Sequence, residues 1–425
     1  MNCNRLFGRL LLAAILLTPG LAPGQTSLDE IRATPEKAGG VYYAYPVTES
    51  LNTPAPKGYK PFYISHYGRH GSRYLISDND YKVVLDRLHD AAAHNALTPF
   101  GLDVMARLDT VWLEARGRGG ELTPLGNRQH HDIATRMYRA FPEVFAPGAD
   151  LYASSTVVMR CAHSMFAFIE GLKEQDPTLV IPRESGQRNM CFLNYHSPES
   201  GPFSSHEGPW YQTWKRFRDA QTHPERLVAS IFSDPAYVAT WVDPDEFMWQ
   251  MYWLAVDMQN METPIKFTDV FTPEELYDLW QVFNFNFFAC NSSYAPAGGH
   301  FTANAKNLAR DIIANADACI ADKDGHGATF RFGHDGNIIP LTALLRLDNC
   351  YTDETDPARL ASVWTDFKIS PMASNLQIIF FKNRSGDIIA KIMLNEREIA
   401  LPLATDNFPF YPWPALRDYL VGISE

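Results

Sequence analysis

The sequence predicts an α/β fold, with a mainly parallel sheet covered by helices on both faces and a smaller, mainly α-helical inserted domain. Three observations predict it. Up to residue 183, short apolar runs of strand length alternate with segments of helical periodicity, the pattern of a parallel sheet with helical crossovers. From 184 to 304, Pro, Trp and Tyr become frequent, and helix-like segments follow one another without strands between them. From 305 to 425 the alternation of strand and helix returns. The chain of 425 residues, 46% hydrophobic and 20% charged, is long enough for a large core split between two domains.

The first 24 residues stand apart. "MNCNRLFGRLLLAAILLTPGLAPGQTS" places Arg5 and Arg9 before the apolar run 10–17, with small and helix-breaking residues up to Gly24. This reads as a secretory signal peptide over 1–24, so the mature protein is expected to be periplasmic or secreted. The run is too short to span a bilayer, and no later run approaches the ~20 apolar residues a membrane helix needs. Of the six cysteines, Cys3 falls before cleavage, and Cys161, Cys191, Cys290, Cys319 and Cys350 remain. Export permits disulfides, at most two bridges, and the wide spacing suggests no zinc site.

The core begins with "PFYISH" (61–66), a buried strand feeding a Gly-containing turn. Helical periodicity follows over 81–97 and 102–119. In "TPLGNRQHHDIATRMYRAF" (123–141), Thr123 is the expected N-cap and Pro124 occupies the first turn. "ADLYASS" (149–155) reads as a strand, 157–172 as a helix, and "TLVIP" (178–182) as a further strand. The insertion carries helices over 210–220, 244–259 and 273–289. Beyond it come a helix (304–321), the strand "ATFRFGH" (328–334), a helix (337–347) and a hairpin over 375–395 turning at "RSGD".

The chemistry concentrates where strands end. "HYGRHGSRY" (66–74) follows the first strand and packs Arg69, His70 and Arg73 around Gly71. A loop at the carboxyl edge of a parallel sheet faces the crevice where such folds bind ligands. Arginine suits phosphate because its planar fork donates in pairs and keeps its charge, and glycine lets backbone approach the anion. "SSTVVMRCAHS" (154–164) puts Arg160 at a helix start after a strand, and "FRFGHDGNIIPL" (330–341) places His334 and Asp335 likewise. A net charge of −12 supplies no general attraction for nucleic acid or anionic membrane, so an anion must be captured locally.

With these motifs, and with "GELTPLG" opening the 123–141 helix, the sequence resembles the histidine acid phosphatase family (histidine phosphatase superfamily, branch 2), particularly its bacterial multiple inositol polyphosphate phosphatases and phytases. The resemblance covers most of the mature chain. It implies that His70 is the nucleophile that becomes phosphohistidine, that Arg69, Arg73 and Arg160 clamp phosphate, that His334 binds phosphate, and that Asp335 is the proton donor. It also implies an exported acid phosphomonoesterase acting on phytate and other inositol polyphosphates, with 184–304 as a substrate-specificity cap. The donor motif departs from the inositol polyphosphate phosphatase group: many of its members carry His-Ala-Glu, whereas His334-Asp335-Gly336-Asn337 is closer to the enterobacterial phytases and glucose-1-phosphatases. A glucose-1-phosphatase-like or broad-specificity enzyme is the alternative, and a non-catalytic phosphate-ester binder a remote one.

Elementary chemistry agrees with these roles. Phosphomonoester transfer needs an in-line nucleophile, cations around the equatorial oxygens and a proton for the leaving alkoxide. Three arginines and a protonated His334 would supply the charge, so no metal or other cofactor is expected, and the expected partner is a small phosphomonoester. Asp335 would supply the proton if it stays protonated, and clustered positive charge would keep His70 neutral in acid. "HHD" (130–132) suggests metal only superficially, because helical neighbours diverge. "DKDGHG" (322–327) lacks the glutamate of a calcium loop and reads as a turn. Lys215, Arg216 and Arg218 form either a solvated helix face or a rim for further phosphates.

Overall fold

The computed structural model describes residues 26–47 and 52–425. The predicted signal peptide over 1–24 lies outside the described residues. An eight-stranded sheet runs through the molecule in the order β3-β2-β4-β1-β5-β6-β7, with β8 pairing β6. The strands are β1 (Lys60–Arg69), β2 (Asp150–Ser155), β3 (Arg183–Ser185), β4 (Gly327–Gly333), β5 (Asn375–Lys382), β6 (Ile388–Leu394), β7 (Arg397–Glu398) and β8 (Phe410–Pro412).

The α/β class is as the sequence predicts, while parallel pairing is confined to β3-β2-β4-β1. The remaining pairs, β1-β5, β5-β6, β6-β7 and β6-β8, are antiparallel. The β5-β6 pair is the predicted hairpin: the turn at 383–387, where Asn383 and Asp387 bond to each other through backbone and side chain, folds β6 straight back on β5. β1 also runs further than "PFYISH". It continues to Arg69, buried from Phe62 onward, so the loop starts only at His70. The predicted strand 178–182 is displaced to Arg183–Ser185, because Leu179 and Ile181 are apolar for burial rather than for pairing.

Alternation along the central strands sorts side chains between two helical layers. Ile64, Phe330 and Ile379 face Ile133, Met165 and Phe168 from the helices Pro124–Ala140 and Met159–Gln175. Tyr63, Ile378 and Phe380 face Ile312, Ile338 and Leu416 from Lys306–Ala321, Asp335–Leu344 and Trp413–Ser424. A third apolar cluster joins Val84 and Leu108, from the helices Asp78–Ala93 and Pro99–Ala115, to Met251, Tyr252 and Trp280 of Pro244–Asp257 and Pro273–Asn291. The helices of the 184–304 region therefore share a core with helices that precede the boundary at 184.

The helix at Pro124–Ala140 begins as predicted. Thr123 Oγ1 accepts from Gly126 N (3.2 Å) and donates to the Ser72 carbonyl (3.1 Å), tying the helix to the His70 loop. A Cβ on Gly71 would stand 2.5 Å from the Gly126 carbonyl oxygen, so the close approach requires glycine. All five described cysteines are free thiols. Among the described residues no helix is long and apolar enough to cross a membrane.

"HHD" resolves into two environments. His131 lies at the surface against Glu174 (2.7 Å) and Asp132 (3.2 Å), whereas His130 is buried with its ring 5.6 Å from Phe332. His66 is buried in the same aromatic layer, 4.9 Å from Phe168. Burial lowers both imidazoles below 6.5, His130 to about 4. The unfolded chain binds a proton near pH 6.5 that native His130 refuses until about pH 4. The stabilisation is thus complete above pH 6.5 and is lost as pH falls through that window. His130→Gln should lose less stability than wild type between pH 7 and pH 4.5, by about 2 kcal/mol, in urea unfolding at the two pH values. Equal losses would contradict the assignment.

Candidate active site

Three chain segments meet at one edge of the sheet because β2, β4 and β1 are neighbours and parallel. Arg69 ends β1 directly opposite Gly333 at the end of β4, and Ser155 ends β2 opposite Phe332. The residues that follow these ends are His70, His334 and, within the first helical turn after β2, Arg160. All six predicted site residues are therefore carried at the carboxyl edge.

The His70 backbone is pinned on both sides. Its N–H donates to the Gly333 carbonyl (3.0 Å), its carbonyl accepts from Ala373 N (2.9 Å), and Gly71 N donates to Ser164 Oγ (3.1 Å). The ring lies 2.9 Å from the Gly71 carbonyl through Nδ1. A carbonyl only accepts, so Nδ1 carries the proton and Nε2 keeps its lone pair. Burial, followed by the charges of Arg69, Arg160 and Arg73, lowers the His70 imidazole well below 6.5. A neutral, singly oriented imidazole results even in acid.

Arg69 has no solvent exposure. Its Nη1 donates to the carbonyls of Val41 and Ser370, the latter at 2.8 Å, and its Nη2 lies 2.7 Å from Asp335 Oδ2. Arg73 donates to the Tyr74 carbonyl (2.8 Å), and its guanidinium lies over the Tyr42 ring at 4.6 Å from the centroid. Among the described residues neither Arg73 nor Arg160 has a carboxylate within ion-pairing distance. Positive charge this far from water is costly without a counter-charge, so the arrangement suits an anion.

His334 presents Nε2 to Thr156 Oγ1 (3.2 Å), and its backbone N–H donates to the Tyr67 hydroxyl (3.2 Å). Burial lowers its imidazole to about 4, with Arg160 and Arg69 adding to the effect and Asp335 opposing it. Asp335 opens the Asp335–Leu344 helix and accepts from Gly336 N at 2.8 Å. Burial raises its carboxyl, but Arg69 and His334 outweigh that and hold it below the usual carboxylate range. The sequence reading takes His334 as protonated and Asp335 as neutral. In the free site both are reversed, because Arg69 pairs with Asp335 while His334 is dehydrated. A bound phosphate would draw on Arg69 and push both groups upward, towards the forms the chemistry needs.

Several contributors escape sequence reasoning. Val41 and Ser370 act through backbone carbonyls, which no side-chain pattern reveals. Ser72 donates its hydroxyl to Asn260 Oδ1 (2.7 Å), and Asn260 adjoins buried Asp257, itself bonded by the Tyr81 hydroxyl at 2.9 Å. Burial raises the Asp257 carboxyl to about 7. Thr156 carried a readable signal, since it directly follows the "SS" of β2. In the Lys215–Arg218 group, Lys215 pairs with Asp219 (2.9 Å) and Arg218 with Glu246 (2.7 Å). "DKDGHG" forms the turn leading into β4, at the opposite edge of the sheet, with Asp324 N donating to Asp322 Oδ1 (3.1 Å).

The family model described as histidine phosphatase superfamily (branch 2) matches residues 68–395. The fold is similar to that of a Bifidobacterium longum multiple inositol polyphosphate phosphatase solved with inositol hexasulfate, with a TM-score of 0.75 and 19% identity over 90% of this chain and 97% of that one. A phytase from D. castellii aligns with a TM-score of 0.65 at 16% identity, covering 91% of this chain and 85% of that one. Hafnia alvei phytase aligns at 0.54 and 13%, covering 88% and 98%. Comparison with curated protein sequences finds no significant match.

The Arg69–Asp335 pair has a measurable consequence. Asp335 occupies the Arg69 fork that an anion would use, so Asp335→Asn should bind inorganic phosphate at least as tightly as wild type in calorimetry at pH 5. Clearly weaker binding would show that Asp335 does not compete for Arg69.

Proposed function

Since the chain belongs to the histidine phosphatase superfamily (branch 2), and is thereby a phosphatase, we propose that it is an exported acid phosphomonoesterase working through a phosphohistidine, with phytate and other inositol polyphosphates as substrates. The observation that carries the proposal is the His70 ring, whose Nδ1 is committed to the Gly71 carbonyl at 2.9 Å while Nε2 has no hydrogen-bond partner among the described residues and the ring stands beside three arginines. Export rests on the 1–24 segment. The substrate class rests on the likeness to an inositol polyphosphate phosphatase and phytases.

In the proposed reaction His70 Nε2 attacks phosphorus in line with the ester oxygen. Arg69, Arg73 and Arg160 hold the non-bridging oxygens, and His334, protonated once the anion is bound, donates one further hydrogen bond. As the P–O bond breaks, Asp335, protonated once phosphate has claimed Arg69, passes its proton to the leaving alkoxide. Water then attacks the phosphohistidine. Asp335 takes the water's proton, the P–N bond breaks, and inorganic phosphate leaves with His70 and protonated Asp335 restored. A glucose-1-phosphatase-like or broad-specificity enzyme is the second reading, favoured by the His334-Asp335-Gly336-Asn337 motif. Relative kcat/KM on phytate and glucose 1-phosphate separates the two.

His70→Ala should abolish phytate hydrolysis with the fold intact, and acid-labile phosphate trapped during wild-type turnover should map to His70. Label on another residue would sink the mechanism. Asp335→Asn should slow the first step on alkyl phosphates by ~10²–10⁴-fold, while barely changing it on nitrophenyl phosphate, whose leaving group needs no proton. Rapid-quench comparison of the two esters decides this, and an equal loss on both would remove Asp335 from the donor role.

A further inference from the structure

The matched family region begins at residue 68, yet the turn Pro35–Tyr42, well before it, ends inside the site. Consecutive residues of this segment are tied to different walls of the cleft. Val41 N donates to the Asp366 carboxylate (3.2 Å), and the Val41 carbonyl accepts from Arg69. The Tyr42 carbonyl accepts from Asn260 Nδ2 (2.9 Å), and the Tyr43 carbonyl accepts from Met372 N (2.8 Å). A backbone held at three successive positions leaves the Tyr42 side chain little choice of direction.

That side chain is partly exposed and lies between two chemistries. On the cap side its ring meets Trp253 (5.7 Å between centroids) and Phe283 (6.0 Å), a slot that phenylalanine would fill equally well. On the other side is the Arg73 guanidinium, 4.6 Å from the ring centroid. Arg73 stands beside His70 together with Arg69 and Arg160, so the ring that Arg73 covers borders the arginine cluster. Guanidinium groups only donate and phosphate oxygens only accept. A phenol beside them is able to accept from Arg73 and pass its own proton towards the anion, a chain in which each bond strengthens the next.

We propose that Tyr42 is a further substrate-binding residue: its ring fixes the Arg73 fork by a cation–π contact, and its hydroxyl donates to the phosphate held among the arginines. This deepens the phosphomonoesterase reading and rests on it for the identity of the anion. Tyr42→Phe keeps the ring and removes the donor. KM for phosphate esters and the inhibition constant for inorganic phosphate should each rise about 10-fold, the size of a lost hydrogen bond to a charged group, with kcat near wild type. Tyr42→Leu also removes the ring face and should weaken phosphate binding further, while the melting temperature without phosphate stays close to that of wild type for Tyr42→Phe.

Calorimetric binding of inorganic phosphate reads the contact without turnover, so the test survives even if the wild-type protein hydrolyses no phosphomonoester, a result that would overturn the function alone. Wild-type KM and wild-type phosphate affinity in Tyr42→Phe would overturn the inference. So would a loss confined to kcat.

Discussion

Arg69 is a full positive charge with no exposure to water, and the surrounding structure is organised around keeping it there. Its neighbours come from four separate parts of the chain: β1 carries it, Val41 and Ser370 supply carbonyls, and Asp335 supplies the counter-charge. A buried guanidinium missing any of these would be strongly destabilising. The same requirement explains why β1 stays buried through its last residue and why β4 must lie beside it, since only that pairing brings Asp335 within 2.7 Å of Arg69. The Asp366 carboxylate extends the arrangement outward, accepting from Val41 N and from the Trp280 indole (3.0 Å), and so links the helical region to the arginine.

Burial has opposite effects on the groups it encloses. It lowers His66, His70, His130 and His334, and it raises Asp257 and Asp366, each to about 7. The histidines cost stability as pH falls below 6.5. The two aspartates act in reverse: their contribution is fully present below the unfolded carboxyl value of 3.8 and is lost as pH rises towards about 7. Between these values the two sets offset one another, so a site that needs neutral imidazole in acid sits in a fold whose buried carboxyls are most favourable under the same conditions.

Much of this was legible in the sequence because the chemistry sits on consecutive residues at strand ends. Arg69, His70 and Arg73, then Arg160, then His334 and Asp335 each follow an apolar run, and a parallel sheet brings such ends together without further information. The helix at Pro124–Ala140 was equally plain from Thr123 and Pro124. Other features had no local signature. Leu179 and Ile181 show the apolar spacing of a strand although they are buried outside one, and the antiparallel pairing of β1 with β5 depends on where β5 docks rather than on its composition. Val41 and Ser370 contribute only main-chain oxygens, and Tyr42 lies 28 positions before His70, a separation no motif spans. The charge states of His334 and Asp335 depend on burial and on one ion pair, and both required coordinates.

The account turns on His70 being neutral, with its proton on Nδ1, at the pH where its arginine neighbours are fully charged. Nitrogen-15 NMR of the histidine-labelled protein, with His70→Ala used to assign the signal, measures the tautomer and the titration together. The account predicts an Nδ1–H imidazole that stays neutral as pH falls well below 6.5. A His70 that titrates at or above 6.5, or one that carries its proton on Nε2, would contradict it.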